Sequence, residues 1–211
     1  MKLKKKHRLK LLGLLLVVGI GLFIVQSQLG NPLLKTQNAQ SAQDITKKPK
    51  KVLLDIKPIS QFPELPTGCE ITAVAMLMSY KDVDLPKTAI PELIPYTDTG
   101  DMESGFWGNP FDDSGYTMYP PAWADLFDQY LGSFTDLSDA SVSTLKKTLD
   151  QQKPIVAWIN YHGQPAHSVL IIGYDQEHFF FNDPYTGKRK TMTFKTFWKI
   201  ASYQGHRAMT Y

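Results

Sequence analysis

The sequence predicts an α+β domain, with helices first and an antiparallel sheet after them, carried behind a targeting segment. Three observations predict it. Residues 69–80, 121–131 and 139–152 repeat apolar side chains at helical spacing. From residue 155 onward, short apolar runs of strand length alternate with turn-forming residues. The first fifty residues follow neither pattern, which leaves roughly 160 residues for one domain with a single core. Helices and strands that segregate along the chain, rather than alternate, mark the α+β class.

Residues 1–27 have the form of a signal peptide or signal anchor. Six basic side chains fall within residues 1–10, and residues 11–25 are uncharged and almost wholly apolar. A basic block followed by an apolar run of this length is the secretory pattern. A free-standing membrane span needs roughly 17–25 residues. No clear small-x-small cleavage site follows, and Ala39 and Ala42 are the nearest weak matches. A cleaved signal and a retained anchor both stay open. Either way the basic block faces the cytoplasm and the domain lies outside. The expected localisation is therefore extracytoplasmic, either secreted or held at the cytoplasmic membrane by this segment. Residues 28–51, rich in Gln, Asn, Ser and Lys without a hydrophobic period, are expected to be a flexible polar linker to a domain at residues 52–211.

Charge divides at the same boundary. Residues 1–51 carry eleven Lys or Arg and one Asp, while residues 52–211 carry twelve Lys or Arg and nineteen Asp or Glu. The net +3 thus hides an acidic domain. Without a basic stripe such a domain is a poor partner for nucleic acid, whose phosphates dominate binding. Hydrophobic residues make up 43% of the chain and aromatic ones 12%, enough to build a core without disulfides or a structural metal.

In chain order, residues 52–59 are the first predicted strand. The helix over residues 69–80 is marked by Ile71, Val74, Ala75 and Met78. Residues 95–121 are dense in Gly, Pro, Asp and aromatics, and form a long loop. Its Phe106, Trp107, Tyr116 and Tyr119 suit a substrate groove and a satellite core equally well. In the helix over residues 139–152, Val142, Leu145 and Leu149 share a face. Strands are predicted at residues 155–160, 167–174 and 178–182, the last two joined by a tight turn near residues 175–177. A turn at residues 183–187, a strand at 188–193, a short helix at 194–200 and a last strand at 208–211 complete the domain. There are no internal repeats.

Cys69 is the single cysteine, so it has no intramolecular disulfide partner. It lies too far beyond the apolar run to be a lipoprotein cysteine. A free thiol outside the cell is open to oxidation, so its presence calls for a reason. Thr67 and Glu70 have the S/T-x-x-E spacing of a capping box. With Thr67 as N-cap, Cys69 is the second helical residue, beside unsatisfied N–H groups and the positive end of the helix dipole. Both stabilise a thiolate, the nucleophilic form. The competing reading is a small buried hydrophobe.

A thiolate nucleophile needs a proton-handling partner. Among five histidines, His167 opens a fully apolar strand, Ser168 to Ile172, which would fix its backbone in the core and leave its ring at the mouth. A turn centred near residue 175 places position 167 opposite position 183, and opposed residues share a face. Asp183 can then orient the imidazole, as the third member of a triad does. Locally, Asn182-Asp183-Pro184 also fits a turn start. His162, in a loop with no aligned carboxylate, is given no step.

These segments carry a family resemblance. The run Pro63-Glu64-Leu65-Pro66-Thr67-Gly68-Cys69-Glu70-Ile71-Thr72-Ala73, preceded by Ser60-Gln61, resembles the cysteine peptidases related to bacteriocin-leader-processing enzymes. So do Gly105-Phe106-Trp107-Gly108-Asn109-Pro110, the strand from His167 and the turn Asn182 to Gly187. The resemblance is to the stand-alone secreted branch of the thirty-ninth cysteine-peptidase family, over roughly residues 52–211. It implies a papain-like fold with N-terminal helices packed on an antiparallel sheet, and a triad of Cys69, His167 and Asp183. It also implies Gln61 as an oxyanion-hole side chain beside the Cys69 N–H. Gln61 precedes Cys69 by eight residues, where papain-like enzymes usually have six, so the loop with two prolines must absorb the difference. Transporter-fused members cut double-glycine leaders. No ATP-binding G-x-x-x-x-G-K-[ST] run occurs here, so that substrate is not inherited.

The function expected from the sequence is an exported cysteine peptidase acting on a peptide or protein, with no cofactor or metal. A non-catalytic peptide- or wall-binding module on the same fold, and a peptidoglycan amidase, are the alternatives.

Overall fold

The computed structural model describes residues 51–211; the predicted signal segment and all of the predicted linker except Lys51 lie outside the described residues. The first strand, β1, is Val52–Leu53, shorter than expected. It ends early because the Ile56 N–H turns back onto the Leu54 carbonyl at 3.0 Å and the chain leaves the ladder. The helix α1, Cys69–Tyr80, has the predicted bounds. Every residue from Cys69 to Met78 is buried. It is therefore a central helix enclosed on all sides, not a surface helix with one apolar stripe.

The predicted loop holds two short strands, β2 (Tyr96–Thr97) and β3 (Phe106–Trp107), which pair in parallel. Two helices follow, α2 (Ala124–Leu131) and α3 (Val142–Asp150), and both begin later than predicted. Pro120–Trp123 forms a 3₁₀ turn ahead of α2. Asp139 has a φ of 59°, outside the right-handed helical region, so α3 waits for its N-cap. That cap is Ser141, whose Oγ accepts the Thr144 N–H at 3.2 Å. Between the two helices lies β4, Thr135–Asp136.

The remaining strands are β5 (Ile155–Tyr161), β6 (Gln164–Tyr174), β7 (His178–Asp183), β8 (Lys188–Thr193) and β9 (Ala208–Thr210). The helix α4, Phe194–Ser202, precedes β9. The sheet runs β4-β9-β5-β6-β7-β8, with β1 joined to the far end of β6, and each of its pairs is antiparallel. Gly173 makes the β1 contact possible, since a Cβ there would lie 2.2 Å from the Val52 carbonyl oxygen. β6 starts three residues earlier than predicted because His162 and Gly163, at φ 57° and 75°, close a two-residue hairpin from β5.

α1 packs on β5 and β6, while α4 packs on β5, β7 and β8. Trp158, Phe179, Phe181 and Phe197 are fully or almost fully buried in the core between these elements. The architecture is the predicted α+β one. Among the described residues, no helix is long and apolar enough to cross a membrane.

Candidate active site

Cys69 is the first residue of α1, and Gly68 is its N-cap without a side-chain cap. The predicted capping box does not form. The Thr67 hydroxyl instead faces the carbonyls of Asp112 (2.9 Å) and Asn109 (3.2 Å), tying the aromatic loop to the approach of α1. Gly115 completes that crossing, since a Cβ there would lie 2.1 Å from Thr67 Oγ1. Glu70 turns inward. Its Oε1 accepts the Met118 N–H at 2.9 Å, and its Oε2 lies 3.2 Å from Cys69 Sγ. The sulfur also accepts the Ser168 N–H at 3.3 Å.

The helix start was expected to lower the thiol pKa, and the site does the reverse. Burial pushes the Cys69 thiol well up, the Glu70 charge adds to the rise, and the Ser168 hydrogen bond only partly opposes it. Burial also lifts Glu70, to about 7. At rest Cys69 is a thiol.

His167 and Asp183 meet as predicted, through a different register. The pairs Leu170↔Asn182 and Ile171↔Phe181 put Asp183 opposite Val169 rather than His167: the hairpin turns between residues 176 and 177 rather than at 175, and a one-residue bulge between Ile171 and Gly173 brings the offset back to two. A shift of two residues preserves the face. His167 Nε2 lies 2.9 Å from Asp183 Oδ1, and both side chains are fully buried. The carboxylate can only accept, so Nε2 carries the proton and Nδ1 is the basic nitrogen. Nδ1 is buried and has no hydrogen-bond partner. Burial lowers the His167 pKa and outweighs the Asp183 contribution, so the imidazole rests neutral. Burial alone would raise Asp183; hydrogen bonds from His167, His162 and Thr186 instead hold it well below the usual carboxylate range.

Gln61 is brought to the same place. It lines a cleft of about 140 Å³ with Thr67, Cys69, Gly115, Tyr116 and Ala166. Its Nε2 donates to the Pro66 carbonyl at 2.6 Å, which leaves its second N–H. Two successive turns absorb the extra residues before Cys69: Leu65 N–H to Gln61 O at 2.9 Å and Gly68 N–H to Leu65 O at 3.0 Å. The Gln61 N–H donates to the Pro184 carbonyl at 2.9 Å, joining this loop to the turn after Asp183. Lys87 Nζ donates to the Ser60 and Gln61 carbonyls and pairs with Glu64 at 2.6 Å, which pins the loop from its other side.

The aromatic loop divides between its two predicted roles. Phe106 and Tyr119 are buried in the core, Tyr116 lines the cleft, and Trp107 is exposed.

Two residues of the site were missed. His162 Nε2 lies 2.8 Å from Asp183 Oδ2, so this histidine does have an aligned carboxylate. Its ring stacks on Tyr185 at 5.0 Å. The signal was the Tyr161-His162-Gly163-Gln164 run between two apolar strands, a hairpin pattern that puts residue 162 near the mouth of β6. Glu70 was read as half of a cap. Its position next to the only cysteine was the available signal.

His162, His167 and Asp183 bring their ligand atoms within 4.8 Å of one another, a set able to hold a metal ion. The carboxylate is already committed as an acceptor: Tyr185 N–H donates to Oδ1 at 3.1 Å and Thr186 Oγ1 to Oδ2 at 2.7 Å, beside the two histidines. Four donors converging on two oxygens make a hydrogen-bond hub that a metal would have to dismantle.

A buried helix headed by a cysteine, facing an antiparallel sheet that carries a His–Asp pair, defines the papain-like class of α+β fold. The chain belongs to the Peptidase_C39 like family, which matches residues 53–207. It is 28% identical over 174 residues to the uncharacterized protein YvpB of Bacillus subtilis strain 168, with 70% of each chain covered. It also resembles the crystal structure of a candidate C39-like peptidase from Bacillus anthracis. That match has a TM-score of 0.70 and 26% identity, and covers 77% of this chain and 98% of the other. The stand-alone C39-like resemblance drawn from the motifs is thereby borne out.

Proposed function

We propose that this protein is an exported cysteine peptidase. One observation carries the reading: a buried His167 whose Nε2 is fixed on Asp183 keeps a bare, unpartnered Nδ1, one residue from the Ser168 N–H that holds Cys69 Sγ. In this reading Sγ attacks a peptide carbonyl while the thiol proton passes to Nδ1. Asp183 keeps the ring in the required tautomer and stabilises its charged form. The second N–H of Gln61 and the backbone N–H of Cys69, at the start of α1, receive the developing oxyanion. The imidazolium then protonates the leaving amine. Water attacks the thioester with His167 again as base, and the thiol is restored. Because thiol and imidazole both rest neutral, proton transfer accompanies attack and no ion pair is preformed.

Profiling a peptide library with the purified protein tests this. Cleavage by the wild type that disappears in Cys69→Ala is the expected result. Cleavage that survives this substitution, with contaminating protease excluded, ends the cysteine mechanism. Binding of a peptide or wall fragment without cleavage, indifferent to Cys69, identifies a binding module. Selective cutting of wall peptides identifies an amidase.

Export rests on the basic block at residues 1–10 and the apolar run at residues 11–25. Protease added to intact cells, stripped gently of any wall, should digest the domain at residues 52–211. Full protection in unbroken cells would refute export.

A further inference from the structure

Cys69 Sγ has two hydrogen-bond partners, the Ser168 N–H and Glu70 Oε2, while His167 Nδ1 has none. The carboxyl beside the sulfur is fully buried. Its two oxygens differ. Oε1 accepts the Met118 N–H at 2.9 Å and so cannot also hold a proton on that side. The Thr117 hydroxyl donates to the same carboxyl. Thr117 also accepts the Trp158 Nε1–H at 3.0 Å, which ties this hydroxyl to β5. Oε2 is the oxygen that faces Sγ, 3.2 Å away, so a proton on it lies between the two groups.

We propose that Glu70 is a second proton partner of Cys69: one proton is shared along the Sγ–Oε2 axis, and the form that meets an alkylating agent is a thiolate beside a neutral Glu70 carboxyl, whereas during attack on a peptide the same proton leaves Sγ for His167 Nδ1. In the transfer the S–H bond breaks and the Oε2–H bond forms. One negative charge moves from carboxylate to sulfur, and the pair keeps its total charge. The sulfur is then met by two donors, Ser168 N–H and Glu70 O–H. With Glu70 ionised, a thiolate would sit against a second buried negative charge, so the sulfur keeps its proton.

The other titratable and charged groups around the pair are His167, next to Ser168 on β6, and Tyr119 from the segment after β3. Behind Tyr119, Arg207 lies 3.9 Å over its ring and is tied to Glu103 at 2.8 Å. Arg207 is thus already paired with Glu103. The proposal rests on Cys69 being the nucleophile but not on the peptide-cleavage reading, since it concerns only the ionisation of the thiol.

The test is the rate of iodoacetamide alkylation of Cys69 in the full-length protein as a function of pH. Two coupled groups release protons in two macroscopic steps. The wild type should rise in two steps with a plateau between them. Glu70→Gln keeps the side-chain volume and cannot ionise. It should give a single step at least one pH unit below the upper wild-type step, with alkylation on the former plateau at least tenfold faster. His167→Gln should leave both wild-type steps in place. A single step in the wild type overturns the proposal, and that measurement needs no variant to fold. A Glu70→Gln curve that superimposes on the wild type also overturns it. So does loss of the plateau in His167→Gln with its survival in Glu70→Gln, which would put the shared proton on the histidine. Alkylation needs no substrate, so a protein that cleaves no peptide can still pass this test, and an active peptidase can still fail it.

Discussion

The sheet side and the helix side of the site are built to opposite ends. On the sheet side, Asp183 receives four hydrogen bonds, from His162, His167, Tyr185 and Thr186, and these keep it ionised while fully buried. On the helix side, Cys69 and Glu70 are buried side by side, and burial drives both toward their protonated forms. The contrast lies in the kind of donor. Asp183 faces two histidines together with an amide and a hydroxyl from the turn after β7, whereas Glu70 meets the Cys69 thiol and the Met118 amide. His167 is held in one tautomer, and Cys69 is held in reserve as a thiol. In the proposed mechanism, catalytic power depends on the rigid half and the pH response on the reserved half.

The largest effect should come from breaking the rigid half at its centre. His167→Ala should lower turnover of a cleaved peptide on the order of 10⁴–10⁶-fold, with no further loss when Cys69→Ala is added, because members of a triad act as a unit. Asp183→Asn should be milder, about 10²–10⁴-fold. An amide has one acceptor oxygen, so it can keep the His167 bond only by turning its NH₂ toward His162 and Thr186. Steady-state kinetics, with circular dichroism to confirm folding, decides the order. Equal losses in Asp183→Asn and His167→Ala would mean that Asp183 does more than orient the ring.

The two carboxyls should also pull stability in opposite directions with pH. Asp183 has a folded pKa below its unfolded value, so its contribution is present above about pH 4 and is lost as the pH falls through the folded value. Glu70 is raised from 4.5 to about 7, so the folded state holds a proton that the unfolded state has released. Its burial is therefore cheap below about pH 4.5 and costs stability as the pH rises toward 7, on the order of 2–3 kcal/mol. Urea unfolding at pH 4.5 and 7.5 should show a decline in the wild type that Glu70→Gln largely removes. A decline of equal size in the variant would place its source outside this pair.

Much of this contrast was legible before any coordinates, but unevenly. α1 was marked by its apolar spacing, and Cys69, His167 and Asp183 by residue type and by strand and turn signals. Gln61 rested on the family pattern, and the structure brings it to the cleft through two turns. The finer errors have physical sources. The His167–Asp183 register was wrong by two because the hairpin turns later than residue 175 and a one-residue bulge between Ile171 and Gly173 makes up part of the offset, neither of which a two-residue period reveals. The Thr67–Glu70 spacing matched a local cap, yet Asp112 and Met118, both more than forty positions away, took those side chains instead. β2, β3 and β4 are two residues each, too short for any periodicity to register. The expected fall in thiol pKa considered the helix end and omitted burial, which dominates.

The smallest of these effects separates a residue that completes the rigid half from one that only covers it. His162 donates to Asp183 Oδ2 from the solvent side, with 22% of its side chain exposed, and stacks on Tyr185. If its task is to hold the carboxylate in line, His162→Ala removes one hydrogen bond to a charged acceptor, worth about 1.5–3 kcal/mol. Thr186 and Tyr185 still hold Asp183, so only part of that loss reaches the reaction. Peptide turnover should fall roughly tenfold, in kcat more than in KM, because orientation of His167 matters most in the transition state. Gln in place of His162 keeps a donor of similar reach and should recover most of the rate. A loss confined to KM and not recovered by His162→Gln would assign His162 to the cleft wall. No loss at all would mean that the remaining three donors already fix Asp183, and that the second histidine is packing for Tyr185.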